Sequence, residues 1–99
     1  MAGIRIGSRN AFRDLGLPDA DALQAKAILA HHIITAIEKN KLTQARAAER
    51  MGATQPNVSD IYRGRVSGFT IDRLAKYLNA LGRDVEIHVK AGNGRTVVV

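Results

Sequence analysis

Apolar residues recur along this chain with a helical period from about residue 18 to residue 82, after which the period changes. Leu23, Ala27, Ala30, Ile34 and Ile37 fall at three- and four-residue spacings with Ile33 beside them. That spacing predicts an amphipathic helix running to about Asn40. Pro18 suits a first turn, Asp19 and Asp21 favour the positive helix end, and Asn40 is placed to close the helix in a left-handed conformation. Thr43 then caps QARAAERM, which stops at Gly52, and Thr54 caps QPNVSDIYRG, which stops at Gly64. Beyond the loop RVSGF, Thr70 caps a fourth helix with Ile71, Leu74, Ala75 and Leu78 on one face, and Gly82 ends it. In DVEIHV the period falls to two: Val85, Ile87 and Val89 alternate with Glu86, His88 and Lys90, the mark of a strand with one apolar face. AGNGR is a turn signal, which places TVVV as a return strand. The expected fold is mainly α: a compact helical bundle over 18–82, an irregular arm over 1–17 and a C-terminal strand or hairpin over 83–99.

The two short helices between residues 43 and 63 are joined by a tight glycine turn, which makes a helix-turn-helix unit. Ala48 stands where the first helix must approach the second, so a side chain larger than methyl would push them apart. Val58 and Ile61, three apart, face back onto Ala48 and Met51. Gln55, Asn57, Ser59, Asp60 and Arg63 are left pointing outward. A corner like this also serves packing alone, and Gln and Asn at a helix start are common as caps. Charge shifts the balance toward nucleic acid.

The net charge is +6, and its distribution is uneven. Residues 14–38 carry Asp14, Asp19, Asp21 and Glu38 against Lys26, whereas 39–65 carry Lys39, Lys41, Arg46, Arg50, Arg63 and Arg65 against Glu49 and Asp60. A basic block that coincides with the corner suits a partner rich in phosphates. The aromatic residues are Phe12, Tyr62, Phe69 and Tyr77, too few for single-strand stacking platforms, which disfavours an RNA or ribosome partner. In a helix-turn-helix the N-terminal end of the second helix enters the major groove. Gln55 and Asn57 project there, with amides matched to adenine N6 and N7, and Ser59 follows one turn on. The helix dipole and free N–H groups at that end favour a nearby phosphate, while Arg63 and Arg65 anchor the backbone.

The stretch LTQARAAERMGATQPNVSDIYRG resembles the helix-turn-helix of phage-repressor-type (XRE) regulators, at Gln44, Ala48, Gly52, Gln55, Val58, Ser59 and Ile61. The wider pattern, FRDLGLPDADALQAKAILAHHI followed by GRVSGFTIDRLAKYLNALGRDVEIHVK, is similar to the subgroup containing HigA-type antitoxins and their stand-alone relatives. The resemblance covers roughly residues 12–90. It implies a five-helix or similar small bundle that dimerises on palindromic operators. It also implies, for the HigA-like kind, repression of its own operon and binding of a RelE-like, mRNA-cleaving toxin ribonuclease. By the same resemblance Gln44 hydrogen-bonds a phosphate and braces Gln55, which reads a base, and Asn57 and Ser59 fall at further contact positions. Thr54, Lys41 and Arg46 complete the expected backbone-contacting set with Gln44, Arg63 and Arg65. Asp60 departs from a DNA-facing surface: it accepts from cytosine N4, pairs with Arg63 one turn away, or faces aside.

The remaining chemistry is sparse. The chain has no cysteine, which excludes disulfides, thiolate metal sites and a cysteine nucleophile. His31 and His32 are adjacent, hence about 100° apart on a helix, and His88 lies elsewhere, so no metal or other cofactor is expected. Ser59, His32 and Asp60 lack the nucleophile elbow that would make them a catalytic set, and no enzyme activity is expected. No apolar run reaches the roughly 18–20 residues that span a membrane, and the N-terminus has no secretory h-region, so a cytoplasmic protein is expected; the resemblance implies a bacterial one, nucleoid-associated when bound to DNA. The strand bearing Val85, Ile87 and Val89 offers an edge whose pairing with a second copy would form a homodimer. The rival readings are a stand-alone XRE regulator and an interaction module that mainly sequesters a toxin through the acidic stretch 14–38.

Overall fold

A computed structural model describes residues 19–85, 88–90 and 96–98, so the arm 1–17 and the turn AGNGR lie outside the described residues. Four helices follow in order: α1 (Asp19–Lys39), α2 (Gln44–Met51), α3 (Gln55–Tyr62) and α4 (Ile71–Ala80). The backbone of β1 (His88–Lys90) pairs antiparallel with β2 (Thr96–Val98), His88 opposite Val98 and Lys90 opposite Thr96.

The long α1 lies chiefly against α4, and the short α2 and α3 close one side of that pair. Leu29, Ile33 and Ile37 of α1, Val58 and Ile61 of α3, and Ile71 and Leu74 of α4 are essentially inaccessible to solvent and form the centre of the core. Removing each such side chain from water contributes about 1.5–3 kcal/mol. The four positions expected to face inward on α4 are all buried, joined by Tyr77.

On α1 the inward face differs from the expected stripe. Ala30, Ile33 and Ile37 are buried and Ile34 is half-buried, but Leu23 and Ala27 are exposed, Leu23 by 49%. The helix instead turns Ala22, Lys26, Leu29, Ile33 and Ala36 inward, a rotation at its N-terminal half of one residue, about 100°. Lys26 explains the shift. Its stem lies in the apolar face, 7% exposed, and its ammonium reaches the carbonyl of Ser67 at 3.4 Å in the α3–α4 connection. A long aliphatic stem with a partnered head is compatible with such a place, although pattern alone assigns lysine to solvent.

The end of α1 also departs from expectation by one residue. Lys41, with φ +54°, takes the left-handed conformation, and Asn40 remains with the helix, donating its side-chain amide to the Ala36 carbonyl at 2.8 Å. Leu42 N–H returns to the Ile37 carbonyl at 3.0 Å, which closes the helix as a Schellman turn and tucks half-buried Leu42 against the core. A left-handed non-glycine residue costs roughly 1–2 kcal/mol relative to an ordinary backbone, which the turn and the Leu42 contact offset.

Candidate nucleic-acid interface

Nothing in the composition of QPNVSDIY makes a stable helix by itself. Asn, Val, Ser, Asp, Ile and Tyr are middling or poor helix formers, and eight residues are too few to fold alone. Two apolar anchors and a set of polar clamps hold it. Val58 and Ile61 are buried against the α2 residues Ala47, Ala48 and Met51. The turn between the helices passes through Gly52 at φ +71°, ψ +32°, whose N–H donates to the Ala48 and Glu49 carbonyls. Open space surrounds the position where a Cβ would stand on Gly52, so the requirement for glycine is the backbone conformation itself and not crowding.

Each helix of the corner begins on a threonine. Thr43 Oγ1 accepts from Arg46 N–H at 3.1 Å, and Thr54 Oγ1 accepts from Asn57 N–H at 3.1 Å. At α3 the arrangement is reciprocal: the Asn57 Oδ1 accepts from Thr54 N–H at 3.3 Å, completing a capping box. Pro56 has no N–H, so among the described residues the Gln55 N–H is the sole first-turn donor of α3 left without a partner. Phosphate attraction to this helix end is thereby narrower than a bare N-terminus would give, one backbone donor where three stood open in principle.

A residue that the sequence did not single out completes the site. Arg73 of α4 lies with its guanidinium 5.0 Å from the Phe69 ring centroid and 5.7 Å from that of Tyr77. The two rings meet edge to face at 6.2 Å. From this aromatic shelf Arg73 Nη2 donates to Asn57 Oδ1 at 3.3 Å. Its own backbone is fixed by Thr70, whose Oγ1 accepts from Arg73 N–H at 3.0 Å. The cation–ring attraction at such an exposed position contributes about 0.5–1 kcal/mol.

The outward face now stands assembled. Gln55 is exposed, and Asn57, Ser59 and Asp60 are half-buried along α3, which is about 12 Å long. Arg63 caps the C-terminal end and Arg65 follows it, both exposed. Asp60 does not reach Arg63 by its carboxylate: among the described residues no ion pair joins them. Its carbonyl instead accepts from Arg63 N–H at 3.1 Å and Arg65 N–H at 2.8 Å, closing the turn that presents both arginines. On the α2 side an open groove of about 430 Å³ is lined by Lys41, Leu42, Thr43, Arg46, Glu49 and Arg50. Gln44 opens α2 half-buried, and among the described residues no hydrogen bond joins it to Gln55. Tyr62, at the end of α3, has its phenol pushed above the usual value by burial and by the charge of Glu38, so it is neutral at ordinary pH.

Of the residues expected at a dimer interface, Val85 is 7% exposed and belongs to the protomer's own core, Val89 lies in β1, and Ile87 is outside the described residues. The rings of His31 and His32 lie 5.8 Å apart, both exposed on α1. Among the described residues no group of three His, Cys, Asp or Glu side chains converges, and no helix is long and apolar enough to cross a membrane.

Comparison with known proteins bears on the corner directly. Residues 11–90 match the model of a family described as "Helix-turn-helix domain". A solved chain described as "Putative XRE Family Transcriptional Regulator" is 42% identical and superposes with a TM-score of 0.68, over 75% of this chain and 83% of that one. No curated protein matches. With the glycine turn, the capped α3 and the family match lying on the same residues, this chain belongs to the XRE-type helix-turn-helix family.

Proposed function

We propose that the protein is a sequence-specific, DNA-binding transcriptional regulator that works by occupying an operator, without enzymatic activity. The observation that carries this reading is the outward face of α3. Gln55, Asn57 and Ser59 sit on a helix whose ends and back are fixed, with Arg63 and Arg65 beyond one end and the α2 groove cations Lys41 and Arg46 alongside. Gln55 reads a base edge, Ser59 lies one turn further along, and the cations together with Gln44 and Thr54 hold phosphates. Thr54 keeps its hydroxyl proton for a phosphate oxygen while its oxygen caps the helix. A homodimer places two α3 helices in successive major grooves about 34 Å apart on a palindrome. Val85 belongs to the protomer's own core, so the dimer contact proposed is the β1 edge bearing Val89.

Selection of bound duplexes from a random pool at two salt concentrations tests this reading, since it reports preference, palindromy and half-site spacing together. Gln55→Ala is expected to cost about 1–3 kcal/mol on the selected site and to relax preference at one base pair, whereas Arg65→Ala weakens all sequences alike. Equal losses from Gln55→Ala on selected and scrambled duplexes would remove the base-reading role.

A second role, as the antitoxin of a HigA-like pair, is favoured by the outer face of α1. Ile28 is exposed by 42% two turns beyond exposed Asp21 on one flank of α1, and Leu23 is exposed by 49% on the opposite flank. The flank carrying Ile28 and Asp21 is the candidate surface for a basic toxin protein. Co-purification with the product of an adjacent gene, lost on Ile28→Glu with DNA binding kept, is the expected result; an isolated gene leaves the stand-alone regulator.

A further inference from the structure

The Asn57 side chain has two candidate roles that its atoms do not allow together. A carboxamide that reads adenine uses both its oxygen and its nitrogen on the base. Here the oxygen already accepts from Thr54 N–H at 3.3 Å and from Arg73 Nη2 at 3.3 Å. Both partners are obligatory donors, so the oxygen and not the nitrogen must face them, and the orientation of the amide follows from the network. A carbonyl oxygen has two lone pairs, and both are taken. The NH₂ group of this half-buried residue remains as its donor.

We infer that Arg73 is a positioning residue for recognition: resting on Phe69 and Tyr77, it locks the Asn57 amide so that position 57 presents a hydrogen-bond donor only. The inference rests on α3 being the DNA-reading helix. Its chemical consequence is a preference for groups that carry acceptors alone at the point reached: guanine N7 and O6, or thymine O4. Cytosine N4 is a donor and is rejected there, and adenine loses its advantage because its N6 finds no acceptor on the protein. The preference is thus written partly by α4, through a side chain that contacts no base.

The test uses the full chain and two readouts. In the free protein, ¹⁵N relaxation of the Asn57 side-chain amide is expected to show an ordered NH₂ group that becomes mobile in Arg73→Met, a variant that keeps an apolar stem over the rings. On duplexes with the contacted base pair varied in all four ways, the protein is expected to prefer the acceptor-only bases over cytosine by about five- to tenfold. Arg73→Met should erase that preference, and Arg73→Lys should restore overall affinity without restoring the preference. Asn57→Asp keeps the capping oxygen and loses the donor, so it should melt like the parent and show no preference for acceptors. In the double variant Arg73→Met, Asn57→Asp, the loss of preference should be no greater than in either single one.

Three results would overturn the inference. Arg73→Met could lower affinity uniformly while leaving the preference intact, which makes Arg73 a phosphate contact. Adenine could be favoured over guanine at the position, which requires a free oxygen. The Asn57 amide could be equally ordered with and without the arginine. If Gln55→Ala still relaxes its own base pair in those cases, the DNA-reading role of α3 stands without the clamp. If no variant on α3 changes any preference, both fall together.

Discussion

The helices α1 and α3 are held in place by opposite means. Over its 21 residues α1 buries Leu29, Ile33, Ala36 and Ile37 against the rest of the core, and its position follows from area removed from water. With eight residues and two buried side chains, α3 adds to those two apolar anchors a glycine turn, a capping box and an arginine reaching over from α4. Burial is tolerant of direction, because an apolar side chain packs acceptably over a range of angles. Hydrogen bonds are not tolerant, and the polar clamps therefore fix the angle at which α3 leaves the surface. On the proposed reading, a segment that must match base edges needs that angular control more than it needs stability.

That contrast can be broken in four places. The largest effect is expected from Leu74→Ala in α4, which leaves a cavity in the shared core and should cost about 2–5 kcal/mol in chemical denaturation, with DNA binding falling in step with folding. Thr54→Ala should cost about 1 kcal/mol by removing one half of the capping box. Hydrogen exchange should then rise across residues 57–62 while α1 stays protected, and uniform exchange over both helices would show that burial alone places α3. Lys41→Gly relieves the left-handed backbone and should raise stability by about 0.5–1 kcal/mol while weakening DNA binding through loss of one cation. The smallest effect concerns Tyr62. Its folded-state phenol titrates above its unfolded value, so the folded form holds the proton longer, and stability falls as pH rises past about 10. Tyr62→Phe should flatten that fall, as measured by thermal melting between pH 9 and 11.

The capped helices and the corner were legible in the sequence because their chemistry is local. Thr43, Thr54 and Thr70 each bond an N–H three residues on, and Gly52 answers a demand made by its own backbone. Lys26 and Arg73 were not legible, because their partners lie 41 and 16 residues away in sequence and no periodicity announces them. Lys26 also misled the reading of α1, since a charged residue in the inward stripe shifts the apparent apolar face onto Leu23 and Ala27. The slip from Asn40 to Lys41 at the end of α1 has a different origin. Residue preference names asparagine, but the closing bond from Leu42 to Ile37 and the contact made by Leu42 set where the chain turns left-handed. The outward positions of α3 were legible as a set; their separate duties required the network around Asn57.

Those separate duties bear on how such a protein diverges. Gln55 and Ser59 bind nothing within the protomer through their side chains among the described residues, so either can be exchanged without disturbing the helix that carries it. Asn57 answers to Thr54 and to Arg73 as well as to whatever lies in front of it, so a replacement must keep an oxygen for both donors. Under the proposed base-reading role, duplicated copies of this gene therefore have two independent positions with which to acquire a new target. A third changes freely only if α4 changes with it.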